Sequence, residues 1–158
     1  MLIKVEDEIL HVRYDDRDRS FDEMRELECL ASEYEGNMKG RVGFNFPITK
    51  KMKLPKWLQP YTNTKEKNTK NTKEIKYLIA YKNGDVATLK HELQHAKYYL
   101  DTAFREKVKE IWESLSESVQ STVKGMLTRM GYPEHVMMDE FQAYLFTEKP
   151  NFFGKRIF

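Results

Sequence analysis

The chain has 158 residues, enough for one domain or a domain with a short appendage. Hydrophobic residues make up 40% and aromatics 13%, so a core can form; the 33% charged fraction makes the surface polar without imposing disorder, because apolar residues recur periodically. No apolar run approaches the roughly 18 residues of a membrane-spanning helix, Met1 to Glu8 lacks the apolar stretch of a secretory signal, and Cys29 is the only cysteine, which makes a reducing, cytoplasmic compartment the expectation.

The net charge of +2 is unevenly placed. Residues 1–40 hold 12 acids against 6 bases, whereas residues 50–82 hold 10 lysines against Glu66 and Glu74. The basic segment 50–82 reads either as a contact for an acidic partner or as a solvated loop. Neither a membrane nor a nucleic acid is the expected partner.

In chain order, Leu2, Ile3 and Val5 predict a short strand, and Leu10, Val12 and Tyr14 alternate with polar residues as a half-buried strand does. Ser20 with Glu23 three residues on reads as a capping box for a helix over Phe21 to Tyr34, closed by Gly36. Met24, Leu27, Leu30 and Ala31 form its apolar stripe. Val42, Phe44 and Phe46 predict a strand ended by Pro47, and Lys51 to Tyr61, with Pro55 and Pro60, reads as irregular. The Asn-Thr-Lys repeats at 63–65, 68–70 and 71–73 predict a mobile loop over 62–74. Ile75 to Tyr81 reads as a buried strand ended by the turn Asn83-Gly84. Four helices are expected next, over 86–100, 102–115, 117–130 and 134–147, with Asp101 capping the second. The tail from Pro150 to Phe158 reads as irregular. The fold class this predicts is α+β, in a single domain: a small N-terminal sheet packed on a helical C-terminal half.

Residues 91–95 read His-Glu-Leu-Gln-His, the HExxH pattern. Two residues four apart on a helix project almost together, so His91 and His95 can reach one ion. Glu92 lies about 100° round from His91, beside the ion, where it can accept a proton from a water on it. On the same wheel Val86, Leu89, Leu93, Ala96 and Leu100 fall between about 140° and 220° from His91, so the helix is expected to bury that face and turn the histidines to the other. The alternative is a surface histidine pair with no ligand.

A tetrahedral site needs a third protein ligand. The candidates are His135, Asp139 and Glu140. With Val136 as origin, Glu140 falls near 40°, within the stripe of Met137, Phe141, Tyr144 and Leu145, while Asp139 near 300° and His135 near 260° fall opposite. Glu140 is therefore the expected ligand, against a salt bridge to a lysine or arginine, with His135 as substitute if the loop at Pro133 defeats the wheel.

Thr88-Leu-Lys-His-Glu-Leu-Gln-His, preceded by the strand 75–81, resembles the edge strand and active-site helix of zincin metallopeptidases. A later helix donating Glu140 resembles the gluzincin branch, which includes thermolysin-like and IrrE/ImmA-type proteases. The resemblance covers residues 75–146. It implies a Zn²⁺ cofactor on His91, His95 and Glu140, Glu92 as general base, a peptide or protein substrate, and extended substrate binding along strand 75–81 through Ile75, Lys76, Leu78 and Ile79. The 45-residue step from His95 to Glu140 is longer than in the thermolysin-like pattern and holds two helices of its own, and the metzincin third histidine is absent, position 101 being Asp101. Tyr144, one turn beyond Glu140, is the candidate oxyanion stabiliser, against simple core packing. Two other classes remain open. A peptide-deformylase-type amidohydrolase takes a cysteine as third ligand, and Glu28-Cys29-Leu30 faintly resembles its motif. A non-enzymatic zinc-stabilised protein would use segment 50–82 for binding.

Overall fold

The computed structural model describes residues 1–36, 40–62, 74–154 and 156–157. The loop expected at 62–74 falls, over 63–73, outside the described residues. The elements are β1 (Leu2–Glu6), β2 (Ile9–Tyr14), α1 (Asp22–Glu35), β3 (Phe44–Pro47), the single turn α2 (Gln59–Thr62), β4 (Tyr77–Lys82), α3 (Val86–Leu100), α4 (Thr102–Ser114), α5 (Glu117–Arg129) and α6 (Met137–Thr147). The architecture is α+β. No helix among the described residues is long and apolar enough to cross a membrane.

The strands form one mixed sheet in the order β1-β2-β4-β3. β1–β2 and β3–β4 pair antiparallel and β2–β4 parallel, with Leu10 opposite Leu78 and Asn45 opposite Ile79. Strand alternation sends Leu10, Val12, Tyr14, Phe44, Phe46, Leu78 and Ala80 to one face, where they pack with Met24, Leu27 and Ala31 of α1. Tyr77, Ile79 and Tyr81 point to the other face, against Leu89, Leu93, Ala96 and Leu100 of α3. Helices thus cover both faces of the sheet. A second apolar cluster joins Phe104 and Val108 of α4, Val123 and Leu127 of α5 and Phe141 of α6. The tail docks on it through Phe153, and Phe152 stacks flat on Tyr144 at 4.7 Å.

Two expectations are corrected here. Ser20 does not cap α1: its hydroxyl donates to the carbonyl of Arg17 at 2.8 Å, because Asp16–Ser20 is already a 3₁₀ turn and the chain enters α1 from Phe21. Strand 75–81 is not at an edge. β4 has β2 on one side and β3 on the other, so its backbone groups are already paired and cannot receive an extended peptide. Ile75, Leu78 and Ile79 are buried in the two cores, and Lys76 points outward to Glu8 at 2.5 Å. The edge strand on this side of the sheet is β3. Of the basic segment's lysines, Lys76 is thus engaged with Glu8, and Lys82 with Asp16 at 2.7 Å.

Candidate metal centre

Asp85 caps α3, accepting from the amide of Thr88 at 2.9 Å and from its hydroxyl at 2.6 Å. From that start the helix carries His91, Glu92 and His95 into the groove against α6 while its leucines meet the sheet. The histidine side is as deeply buried as the apolar side: His95 is 2% exposed and Glu92 4%. The expectation that α3 buries a single face is therefore incomplete, because α6 covers the other.

His95 Nε2 and His91 Nε2 lie 3.2 Å apart, and Glu140 Oε2 lies 3.7 Å from the first and 3.8 Å from the second. The point equidistant from the corners of such a triangle is about 2.1 Å from each, the ordinary bond length from a divalent ion to imidazole nitrogen or carboxylate oxygen. Glu140 Oε2 is fully buried and has no hydrogen-bond partner. A buried carboxylate oxygen left this way costs energy that a cation between it and the two rings would offset. Glu140 ion-pairs only with the two histidines among the described residues, and not with a lysine or arginine. The three groups therefore form a set able to hold a metal ion.

The far side of each ring sets its proton. His91 Nδ1 lies 3.3 Å from Thr147 Oγ1, whose own hydroxyl donates to the carbonyl of Ala143 at 2.7 Å. That hydroxyl can only accept from the ring, so the proton sits on Nδ1 and Nε2 is free. His95 Nδ1 lies 2.8 Å from Asp139 Oδ1, with the N–H aimed somewhat off that oxygen. So close to a carboxylate the nitrogen must carry hydrogen, which leaves Nε2 as the ring atom that faces His91 and Glu140 and could take a metal. Gln142, itself fully buried, donates to the same Asp139 oxygen at 3.0 Å and to the carbonyl of Gln94 at 3.2 Å, tying α6 to α3.

Asp139 corrects the wheel: it is 7% exposed and lies against His95, not in solvent. α6 is buried on two sides, its apolar side against α4 and α5 and its polar side against α3, so the flank opposite the apolar stripe is no solvent face. The adjacent acids Asp139 and Glu140 reach the rear and the front of the same imidazole. His135 and Cys29 lie outside the metal-ligating group. His135 Nε2 lies 2.8 Å from the carbonyl of Tyr34, and Cys29 is exposed on α1.

The electrostatics favour a cation. Burial opposes the charged form of His95, yet the carboxylates of Asp139, Glu140 and Glu92 together hold it well above the ordinary histidine range. Burial likewise acts to raise Glu140, but His95 and His91 bring it below the usual carboxylate value. Glu92 goes the other way. Burial raises its carboxyl, against the pull of His95 and His91 and of a hydrogen bond from Asn45. That bond, Asn45 Nδ2 to Glu92 Oε2 at 2.8 Å, is backed by the Tyr77 hydroxyl donating to Asn45 Oδ1 at 2.5 Å. Strand alternation explains the placement, since Phe44 and Phe46 enter the α1 core and Asn45 must face α3. At Gly43 a Cβ would sit 2.3 Å from Glu92 Oε1 and 2.3 Å from Thr88 Cγ2, so only glycine lets β3 approach the helix this closely.

His91, Glu92, His95, Glu140, Asn45 and Gly43 line a cavity of about 340 Å³, whose walls also hold Tyr144, Tyr132, Arg41 and Glu35. The Tyr144 ring lies 4.7 Å from the His91 ring, and its hydroxyl is 2.8 Å from that of Tyr132. Asn45, Tyr132 and Arg41 carried no signal in the sequence; Asp139 stands among the candidate ligands there, but its place behind His95 has no signal beyond an acid directly before the expected ligand. Comparison with family models, with curated proteins and with solved structures finds no match.

Proposed function

We propose that the protein is a zinc-dependent hydrolase that cleaves peptide bonds through water activated at His91, His95 and Glu140, in the manner of the gluzincin peptidases its motif resembles. The observation that carries this reading is the convergence of two facing Nε2 atoms and one Glu140 oxygen without a hydrogen-bond partner among the described residues, beside a glutamate that is held but not itself a ligand. Two histidines and one carboxylate, leaving a fourth position open, are the donor set of catalytic zinc. Zinc held there would lower the pKa of water and polarise the scissile carbonyl.

The chain's own residues supply the rest. Glu92, made more basic by burial, takes the proton of the attacking water and returns it to the leaving amine. Asn45 and Tyr77 hold its carboxylate in place. Tyr144 stands on the cavity wall, where its hydroxyl would steady the developing oxyanion. An extended substrate would lie along the outer edge of β3, which pairs with no further strand among the described residues and carries Asn45 to the site, with Gly43 just before it.

Zinc content and turnover of two variants test this reading. Glu92→Gln keeps shape but removes the base, so zinc should stay while hydrolysis falls by about two orders of magnitude or more. Glu140→Gln exchanges a charged ligand for a weak neutral one, so zinc affinity itself should fall. Wild-type zinc affinity in Glu140→Gln would place the third ligand elsewhere.

A further inference from the structure

Arg41 is the cationic side chain among the residues that line the cavity, and it is held more firmly than a solvent-facing arginine needs to be. Nη1 donates to Glu35 Oε2 at 3.1 Å, with the two side chains 16% and 4% exposed. The guanidinium carbon lies 4.2 Å over the centre of the Tyr132 ring. The backbone of the same segment is tied down too: the carbonyl of Arg41 accepts from Arg19 Nη2 at 2.9 Å, and the carbonyl of Val42 from the Tyr14 hydroxyl. With the guanidinium fixed on one edge and one face, Nη2 is left buried and without a hydrogen-bond partner among the described residues. A buried donor without an acceptor is destabilising, so a native structure that keeps one calls for a reason, and a role in binding is one.

We propose that the guanidinium of Arg41, which lines the cavity with 16% of the side chain exposed, binds a carboxylate of the substrate, so that the enzyme selects peptides that place a carboxylate in this cavity; this rests on the zinc hydrolase reading. The acceptor is taken to be anionic because a charge-assisted guanidinium bond is roughly twice as strong as one to a neutral carbonyl. The other charges lining the cavity do not oppose it at contact range. Glu92 and Glu140 face the metal position, Glu35 is engaged by Nη1, and Glu148 is an exposed rim residue whose field is screened. The carboxylate has two possible sources, the C-terminus of the substrate or an aspartate or glutamate side chain.

Binding of small thiol peptides to the full chain loaded with Co²⁺ separates these cases without a known substrate. The thiolate-to-cobalt absorption band reports engagement at the metal. Mercaptoacetyl-leucine is compared with its C-terminal amide, and mercaptoacetyl-aspartate amide with mercaptoacetyl-asparagine amide. One acid should bind about 10- to 100-fold more tightly than its neutral twin, and the pair that shows the difference identifies the source. In Arg41→Gln the ratio should fall to near one while the neutral ligand keeps its wild-type affinity. Because that variant strands Glu35, the double variant Glu35→Gln/Arg41→Gln is measured beside it, and the wild-type comparison stands without either. Equal binding of acid and amide in the wild type, with the cobalt band present, overturns the role of Arg41 and leaves the metal site intact, as does a ratio that survives in Arg41→Gln. A chain that takes up no cobalt or zinc overturns the metal reading itself, and this inference with it.

Discussion

On its sheet side α3 sets Leu89, Leu93, Ala96 and Leu100 against Tyr77, Ile79 and Tyr81; on its α6 side it sets His91 and His95 against Asp139 and Glu140. The two sides are buried alike, Ala96 at 0% and His95 at 2% exposure, but their energetics are opposite in sign. Apolar burial stabilises by about 25 cal/mol per Å² removed from water. Burial of charge is costly unless each group is paired, and here two carboxylates share one deeply buried imidazole. The sheet side anchors the helix, and the α6 side spends part of that stability on a place for a cation.

Truncating one residue on each side of α3 separates the two. His95→Ala leaves Asp139 and Glu140 buried without the ring between them, so it should lower unfolding stability by about 3–5 kcal/mol and abolish metal retention. Leu93→Ala, on the partly buried leucine row, should cost about 2 kcal/mol and keep the metal. Denaturant unfolding of both variants, with and without chelator, reads the difference. Equal metal retention in the two would mean that the α6 side is ordinary core.

A smaller effect should come from the group behind the ligand. Asp139→Asn preserves volume and an acceptor near His95 Nδ1 but removes the charge that holds the ring. Loss of such a supporting contact typically weakens metal affinity by about 10- to 100-fold. Chelator competition measures it, with Gln142→Ala as a control that touches Asp139 but leaves its charge. If Asp139→Asn binds metal like the wild type, the contact at 2.8 Å is incidental to the site.

How far the sequence reveals these two sides follows from their chemistry. The apolar rows of α1, α3, α4 and α5 repeat with helical period, so the elements are readable almost to their ends; Gly36 closes α1 and Asp101 caps α4, as expected. The His–Glu–His spacing likewise carries its geometry within one helix. The supporting role of Asp139 is unreadable because a wheel ranks residues by apolarity and takes the polar flank for solvent, whereas α6 presents that flank to α3. The position of β4 in the sheet was misread for a related reason. Its near-continuous apolar run, Tyr77 to Tyr81, is that of a strand covered on both faces, and pairing on both edges comes with it. Asn45 and Arg41 reach the cavity only through long-range strand and loop packing, which leaves no periodic trace.

The mildest probe leaves both sides of α3 intact and loosens only its first turn. Asp85 accepts two bonds from Thr88, and its carboxyl is held below the usual range, chiefly by the Thr88 hydroxyl and then by the Thr88 amide. Thr88 in turn packs where Gly43 leaves room, so the cap sets the start of the helix against β3. Asp85→Ala should cost about 1 kcal/mol, and Asp85→Asn, which keeps an acceptor for the amide, less. The sign of the pH dependence follows from the depressed carboxyl. Its contribution is fully present above the unfolded carboxyl value of about 3.9 and is lost as pH falls through the lower folded value. The stability gap between wild type and Asp85→Ala, measured in chelator so that metal loss does not intrude, should be flat from neutral pH to about 4 and narrow below it. A gap that stays constant through the acid range would show that the ionised carboxylate is not what starts the helix, and that α3 is positioned from its packed middle and not from its cap.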